Sequence, residues 1–257
     1  MATHPDPAVL YPDVAAHGSL AAALQAVAEE RGFAVSVTSS GSGSLSHAAA
    51  ESGLPYRKAL LVSSWAAERR WSIRGEETFA GSALIEGDTV DLAQVAVAAQ
   101  AWQDGAALSD IRHAAPFVRL TGRFEVPDSD PLRLTESEWQ YMRTEAEERD
   151  WPAYQALIEA AYAEPALRRL YPFTSHWTLR FSTTTRPSLT LIGPCLLAAG
   201  ADQGYRVSTG FTGAGLLAEA ATAQEAVAAA VRHLPEDPGP VTFGAIRDDE
   251  RRGGFGA

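Results

Sequence analysis

Two stretches of this chain run through the same order of residue types. Residues 69–102, RRWSIRGEETFAGSALIEGDTVDLAQVAVAAQAW, and residues 204–234, GYRVSTGFTGAGLLAEAATAQEAVAAAVRHL, each open on an aromatic-x-Ile/Val strand. Each continues through a glycine-containing strand and a threonine cap into a helix faced with Ala and Val, and a gap of one or two residues aligns them. A repeated β–β–α order means that each copy builds an antiparallel sheet and lays a helix on it. The expectation is an α+β protein of two similar β–β–α units, compatible with a fold of a new kind. The units fall at 1–118 and 135–235. Between them lies a connector rich in Pro and Asp at 119–134, and a polar tail expected to fray follows at 236–257.

Around the repeats, GSLAAALQAVAEERGF (18–33) has the spacing of an amphipathic helix ending near Gly32. Strands are expected at 33–40, in YRKALLVSSW, in RRWSIRG and in ETFAGSALIEGD, with EGD as a turn. A helix over 89–105 takes Thr89 as its cap and Gly105 as its end, and a short one follows at 108–114. Thr135 with Glu138, and Thr222 with Glu225, read as capping boxes. Pro165 breaks a helix. Strands follow at 174–183, 188–197 and 203–211, with a strand or turn near 214–219.

The net charge of −11 disfavours nucleic acid and anionic lipid as partners, and with them a DNA-binding regulator. Lys58 is the only lysine, so an anion would be held by locally clustered arginines. No apolar run reaches the roughly 18–20 residues of a membrane span, and no secretory leader is visible, so a cytoplasmic protein is expected. Cys195 is the only cysteine, set in an apolar run, and reads as a buried, inert thiol. The histidine spacing matches no metal signature; no metal and no cofactor are expected.

Candidate chemistry centres on RRLYPFTSHWTLRFSTTT (168–185). Read as one strand through 174–183, it places Trp177, Leu179 and Phe181 on one face. Thr174, His176, Thr178, Arg180 and Ser182 take the other. His176 and Arg180 would lie roughly 13 Å apart, within reach of different parts of one extended substrate. His176 is the candidate proton acceptor, with Ser175 and Thr174 as orienting hydroxyls. Arg180 and Thr178 are candidate substrate binders, joined by Arg70 and Arg74, which share a face with Ser72 in the first copy. The same residues fit a solvated sheet face whose charges pair among themselves. The Gly/Ser loop at 39–50 lacks G-K-[ST] and reads first as a mobile loop; as an anion site it would offer backbone N–H groups and the hydroxyls of Ser42, Ser44 and Ser46.

AEPALRRLYPFTSHWTLRFS, with GAALSDIRHAAPFV upstream, resembles an actinobacterial family of natural product biosynthesis proteins without assigned activity. The shared features are the Phe-Thr-Ser-His-Trp block, the helix before it, and Trp102, Gly105, Leu108, Ala115, Pro116, Phe117 and Val118. The likeness covers about residues 60–235. One activity that the resemblance implies is aziridine ring closure by sulfate elimination, carried out by a two-protein enzyme. Its substrate is an amino acid held on a carrier protein. TTTRPSLT departs from the family's Cys-Thr-Gly-Tyr-Pro-like run, which weakens any carry-over of substrate. The expected function is therefore a biosynthetic enzyme acting on a small anionic or carrier-protein-bound substrate. The other reading is a noncatalytic subunit that docks a second protein. An exposed apolar patch beside the arginines favours the second; a deep pocket lined by His176 and Arg180 favours the first.

Overall fold

The computed structural model describes residues 5–39, 44–199, 204–210 and 215–245. The protein is α+β, and its chain divides into two compact units, Met1–Thr121 and Gly122–Ala257.

In the first unit, α1 (Pro7–Leu10), α2 (Pro12–Ala16) and α3 (Leu20–Glu30) lead into five strands. These are β1 (Val37–Ser39), β2 (His47–Ala50), β3 (Leu60–Ser64), β4 (Trp71–Glu76) and β5 (Ala83–Thr89). Then come α4 (Leu92–Gln103), α5 (Leu108–Ala114) and β6 (Val118–Leu120). The strands form one antiparallel sheet in chain order, β1 to β6. Ser19 caps α3 by accepting from the Ala22 N–H, and Leu20, Leu24 and Ala28 give it a buried stripe. β4 alternates as its sequence requires, with Trp71, Ile73 and Gly75 buried under the helices and Ser72, Arg74 and Glu76 facing away. On this side of the sheet α3 packs over β1 and β2, and α4 across β2 to β5.

The second unit opens with α6 (Pro131–Glu148), α7 (Pro152–Ala163) and α8 (Pro165–Arg168). Its strands are β7 (Tyr171–Ser175), β8 (Thr178–Ser182), β9 (Thr184–Pro187), β10 (Leu191–Ala198), β11 (Tyr205–Ser208) and β12 (Leu216–Ala220). α9 (Ala223–Arg232) and β13 (Thr242–Gly244) follow. The main sheet is antiparallel in the order β12-β11-β10-β8-β7. Leu179, Phe181, Leu196, Ala198 and Val207 pack on α6, α7 and α9 in a core of their own. The Thr222/Glu225 capping box is present at α9.

The two units share more than the β–β–α copies. Each is a helix, a five-stranded antiparallel meander and a second helix packed on the first, α3 with α4 and α7 with α9. β6 extends the first sheet; β9 leaves the second to pair with β13.

Several expectations need correction. The strand at 33–40 shrinks to β1, and the segment after the Gly/Ser loop is strand β2; residues 40–43 lie outside the described residues. Glu86-Gly87-Asp88 is no turn but the middle of β5: a side chain at Gly87 would run into the Phe117 carbonyl, so the glycine marks close approach. The helix over 89–105 is capped by Asp91, and Thr89 accepts from the Asp91 N–H. α6 starts one turn earlier than the Thr135/Glu138 box. Asp130 is its cap and Pro131 its first residue, while the Thr135 hydroxyl donates back to the Pro131 carbonyl. The stretch 119–134 is thus shared among β6, a loop and α6. The tail does not simply fray, since β13 docks beside β9.

Candidate functional site

The expected single strand at 174–183 is a hairpin. His176 and Trp177 both take left-handed backbone, φ +50° and +64°, and turn the chain between Ser175 and Thr178. Such a two-residue turn needs positive φ at both positions, which usually calls for Asn-Gly. For non-glycine residues it costs roughly 1–2 kcal/mol each. The offset lies in Trp177. Instead of joining Leu179 and Phe181, it meets Tyr154 edge-on at 5.7 Å and Trp151 at 6.3 Å, with the Arg149 guanidinium 4.5 Å above its ring. Aromatic pairs of this kind contribute roughly 0.5–1.5 kcal/mol each.

The hairpin redistributes the candidate residues. His176 is exposed at the tip, its Nδ1 3.4 Å from the Ser175 hydroxyl. Thr174 pairs with Leu179 and so lies on the opposite face from Ser175, Thr178 and Arg180. It faces the buried Tyr154 hydroxyl without hydrogen-bond geometry. Burial first, and the Glu145 carboxylate second, push the Tyr154 phenol above its ordinary range. Arg180 sits over the Phe173 ring at 5.5 Å and beside Cys195. That thiol is buried, which pushes its ionisation up while Arg180 pulls it back. Thr178 is buried. His176 and Arg180 therefore do not share a strand face: the imidazole is exposed at the turn, and Arg180 lies on the strand beside Phe173.

Arg70 and Arg74 lie on the outer side of the first sheet, each held by its own pair of carboxylates. Registry sets Leu61, Arg74, Glu86 and Arg119 side by side across β3 to β6, and Ser63, Ser72 and Asp88 in the next row. Arg74 donates to Glu76 at 2.6 Å and also to Glu86; Arg119 donates to Glu86 at 2.8 Å. Arg70 pairs with Asp88 and with Glu68. Lys58 meets Glu76 at 3.1 Å, and these cations hold the Glu76 carboxyl below its usual range although partial burial pushes it up. Four cations (Lys58, Arg70, Arg74, Arg119) thus meet four carboxylates (Glu68, Glu76, Glu86, Asp88). Beside them Trp65, 41% exposed, lies 5.1 Å under the Arg70 guanidinium, and Leu61 is 39% exposed. A shallow concavity of about 310 Å³ lies among Trp65, Ser72, Arg74, Glu86, Asp88 and Arg119.

A third grouping carries no sequence motif of its own. In the second unit the Tyr162 ring lies between Arg143 and Arg168, each guanidinium 4.4 Å from its centroid. Its hydroxyl donates to Glu136 at 2.6 Å, and Gln140 and Arg168 also donate to that carboxylate. A concavity of about 340 Å³ opens beside it. The adjacent arginines 168 and 169 were the only local signal, because α6, α7 and α8 supply the rest from far along the chain.

Among the described residues no group of His, Cys, Asp or Glu is arranged to hold a metal ion. Among the described residues no helix is long and apolar enough to cross a membrane. Comparison with curated proteins gives no match, and comparison with solved structures gives none. Residues 133–245, less than half the chain and nearly all of the second unit's described part, are similar to a family of unknown function, DUF6193.

Proposed function

We propose that this chain is a binding subunit of a natural-product biosynthetic assembly, docking a second protein through the outer face of the first sheet. The observation that carries this is Trp65 and Leu61, exposed beside arginines whose charge is already neutralised. A free small anion would have to displace Glu86 or Asp88 to use Arg74 or Arg70. A protein surface need not do so: it covers Trp65 and Leu61 and leaves the ion pairs at the rim. Trp and Arg are the residues that dominate such interfaces. Burying apolar surface contributes about 25 cal/mol per Å². The carrier-bound substrate implied by the family resemblance would then be handled by the partner, and ring closure on His176 and Arg180 is the weaker reading.

The test starts from the protein purified from a host that carries its neighbouring genes, followed by titration of the co-purifying partner against the isolated chain. The double variant Leu61→Asp, Trp65→Asp is expected to weaken that affinity at least about tenfold, roughly 1.4 kcal/mol. Its unfolding temperature should stay near that of the parent, since both side chains are exposed. Unchanged affinity in the double variant rejects the surface. Sulfate release from a sulfated amino acid on its carrier by the isolated chain alone rejects the noncatalytic role.

A further inference from the structure

The geometry points to a binding site for a small organic carboxylate with an apolar body, in the concavity between α6 and α8 of the second unit. This rests on observations separate from the first sheet. The hollow, about 340 Å³, is lined by Leu132, Glu136, Ala163, Pro165, Arg168 and Arg169, with Thr135 at its base. That is the low end of the range for small-molecule sites.

Its charges are unequal. Glu136 contributes one negative charge, Arg168 and Arg169 two positive ones, so the lining carries a net +1 on a chain whose total is −11. The negative charge is already satisfied: Glu136 accepts from Tyr162 at 2.6 Å, Gln140 at 2.7 Å and Arg168 at 3.1 Å. These donors hold its carboxyl below the usual range against the opposing effect of partial burial. Arg168 is committed to that carboxylate and to the Tyr162 ring, which fixes its guanidinium at the rim. Arg169 pairs with no acid among the described residues. Thr135 is spent as well, donating to the Pro131 carbonyl. The unspent polar group of the hollow is thus a guanidinium, whose two parallel N–H groups match a carboxylate. The remaining wall is apolar, and Leu132 within it is 62% exposed. An acid with a hydrocarbon body covers Leu132, Ala163 and Pro165 while its carboxylate meets Arg169. Exposed ion pairs contribute at most about 1 kcal/mol, so affinity for a simple probe belongs in the millimolar range.

The probe is cyclohexanecarboxylate, with cyclohexanecarboxamide as its uncharged counterpart, titrated into the whole isotope-labelled chain and followed by NMR. Saturable shifts are expected at the Nε–H of Arg168 and Arg169 and at the amide of Ala163. Arg169→Gln and the carboxamide should each weaken binding severalfold, and Leu132→Ser should weaken both ligands alike. Unchanged resonances elsewhere in the variants show that the fold is kept. Equal binding of acid and amide, an unaltered Arg169→Gln, or no saturation into the millimolar range overturns the assignment.

Discussion

Arg123 and Glu138 meet through two parallel hydrogen bonds, 2.8 and 2.9 Å, and only 12% and 6% of their side chains reach solvent. The Arg123 guanidinium also lies 3.4 Å from the centre of the Tyr141 ring. Removing one member of a buried pair strands the other charge, a loss of about 3–5 kcal/mol. Glu138→Gln should therefore lower stability by about 3 kcal/mol in a urea titration, whereas Arg123→Met with Glu138→Leu should recover most of it. A double variant as unstable as the single one would show that the pair stabilises by more than mutual neutralisation. Glu138 stands out in the sequence only as half of a capping box. Its true partner is fifteen residues upstream across a loop, beyond any local pattern. His176 shows the same limit in reverse: its residue type drew attention, but its backbone conformation depends on what Trp177 touches.

Strand β4 shows how far a local pattern carries. Alternation alone sets Trp71 and Ile73 on one face and Ser72 and Arg74 on the other, and the structure agrees. What it does not reveal is why Gly75 stands in an apolar series. A Cβ there would lie 2.6 Å from the Trp102 ring and 2.7 Å from Ile85, closer than packed atoms tolerate. Trp102 itself is pinned by its indole N–H, which donates to the Lys58 carbonyl at 3.0 Å. Gly75→Ala should cost about 1–3 kcal/mol by overpacking, seen as a fall in unfolding temperature. A variant as stable as the parent would mean that the α4 ring has room to retreat. At the second hairpin alternation misleads, because period two continues smoothly through a turn that contains neither glycine nor asparagine.

Over the whole molecule, pH should bound stability on both sides. The carboxyls of Asp13, Glu76 and Glu136 are held below their ordinary range, Asp13 chiefly by its hydrogen bonds to Arg69. A depressed carboxyl adds stability above its unfolded pKa, about 4, and that stability is lost as pH falls through the folded value. Burial raises the phenols of Tyr154 and Tyr171. A raised phenol adds stability that is whole below the unfolded pKa of about 10 and vanishes as pH rises through the folded value. Tyrosinate absorbance should thus show these two residues ionising only together with loss of near-ultraviolet circular dichroism. Ionisation of all seven tyrosines near pH 10 with the fold intact would refute it.

Short-range patterns were enough to place α4, α5, α9 and β4, and to show that one β–β–α order occurs twice, since caps, turn glycines and apolar periods act over a few residues. They were not enough to show that each copy belongs to a five-stranded meander between two packed helices. Nor did they show that His176 sits at a turn or that Arg70 and Arg74 already have acidic partners. Those outcomes depend on strand register and on contacts such as Trp151 and Tyr154 against Trp177, made between residues more than twenty positions apart. A left-handed His-Trp pair is unfavourable in isolation, and packing over that distance offsets its local cost.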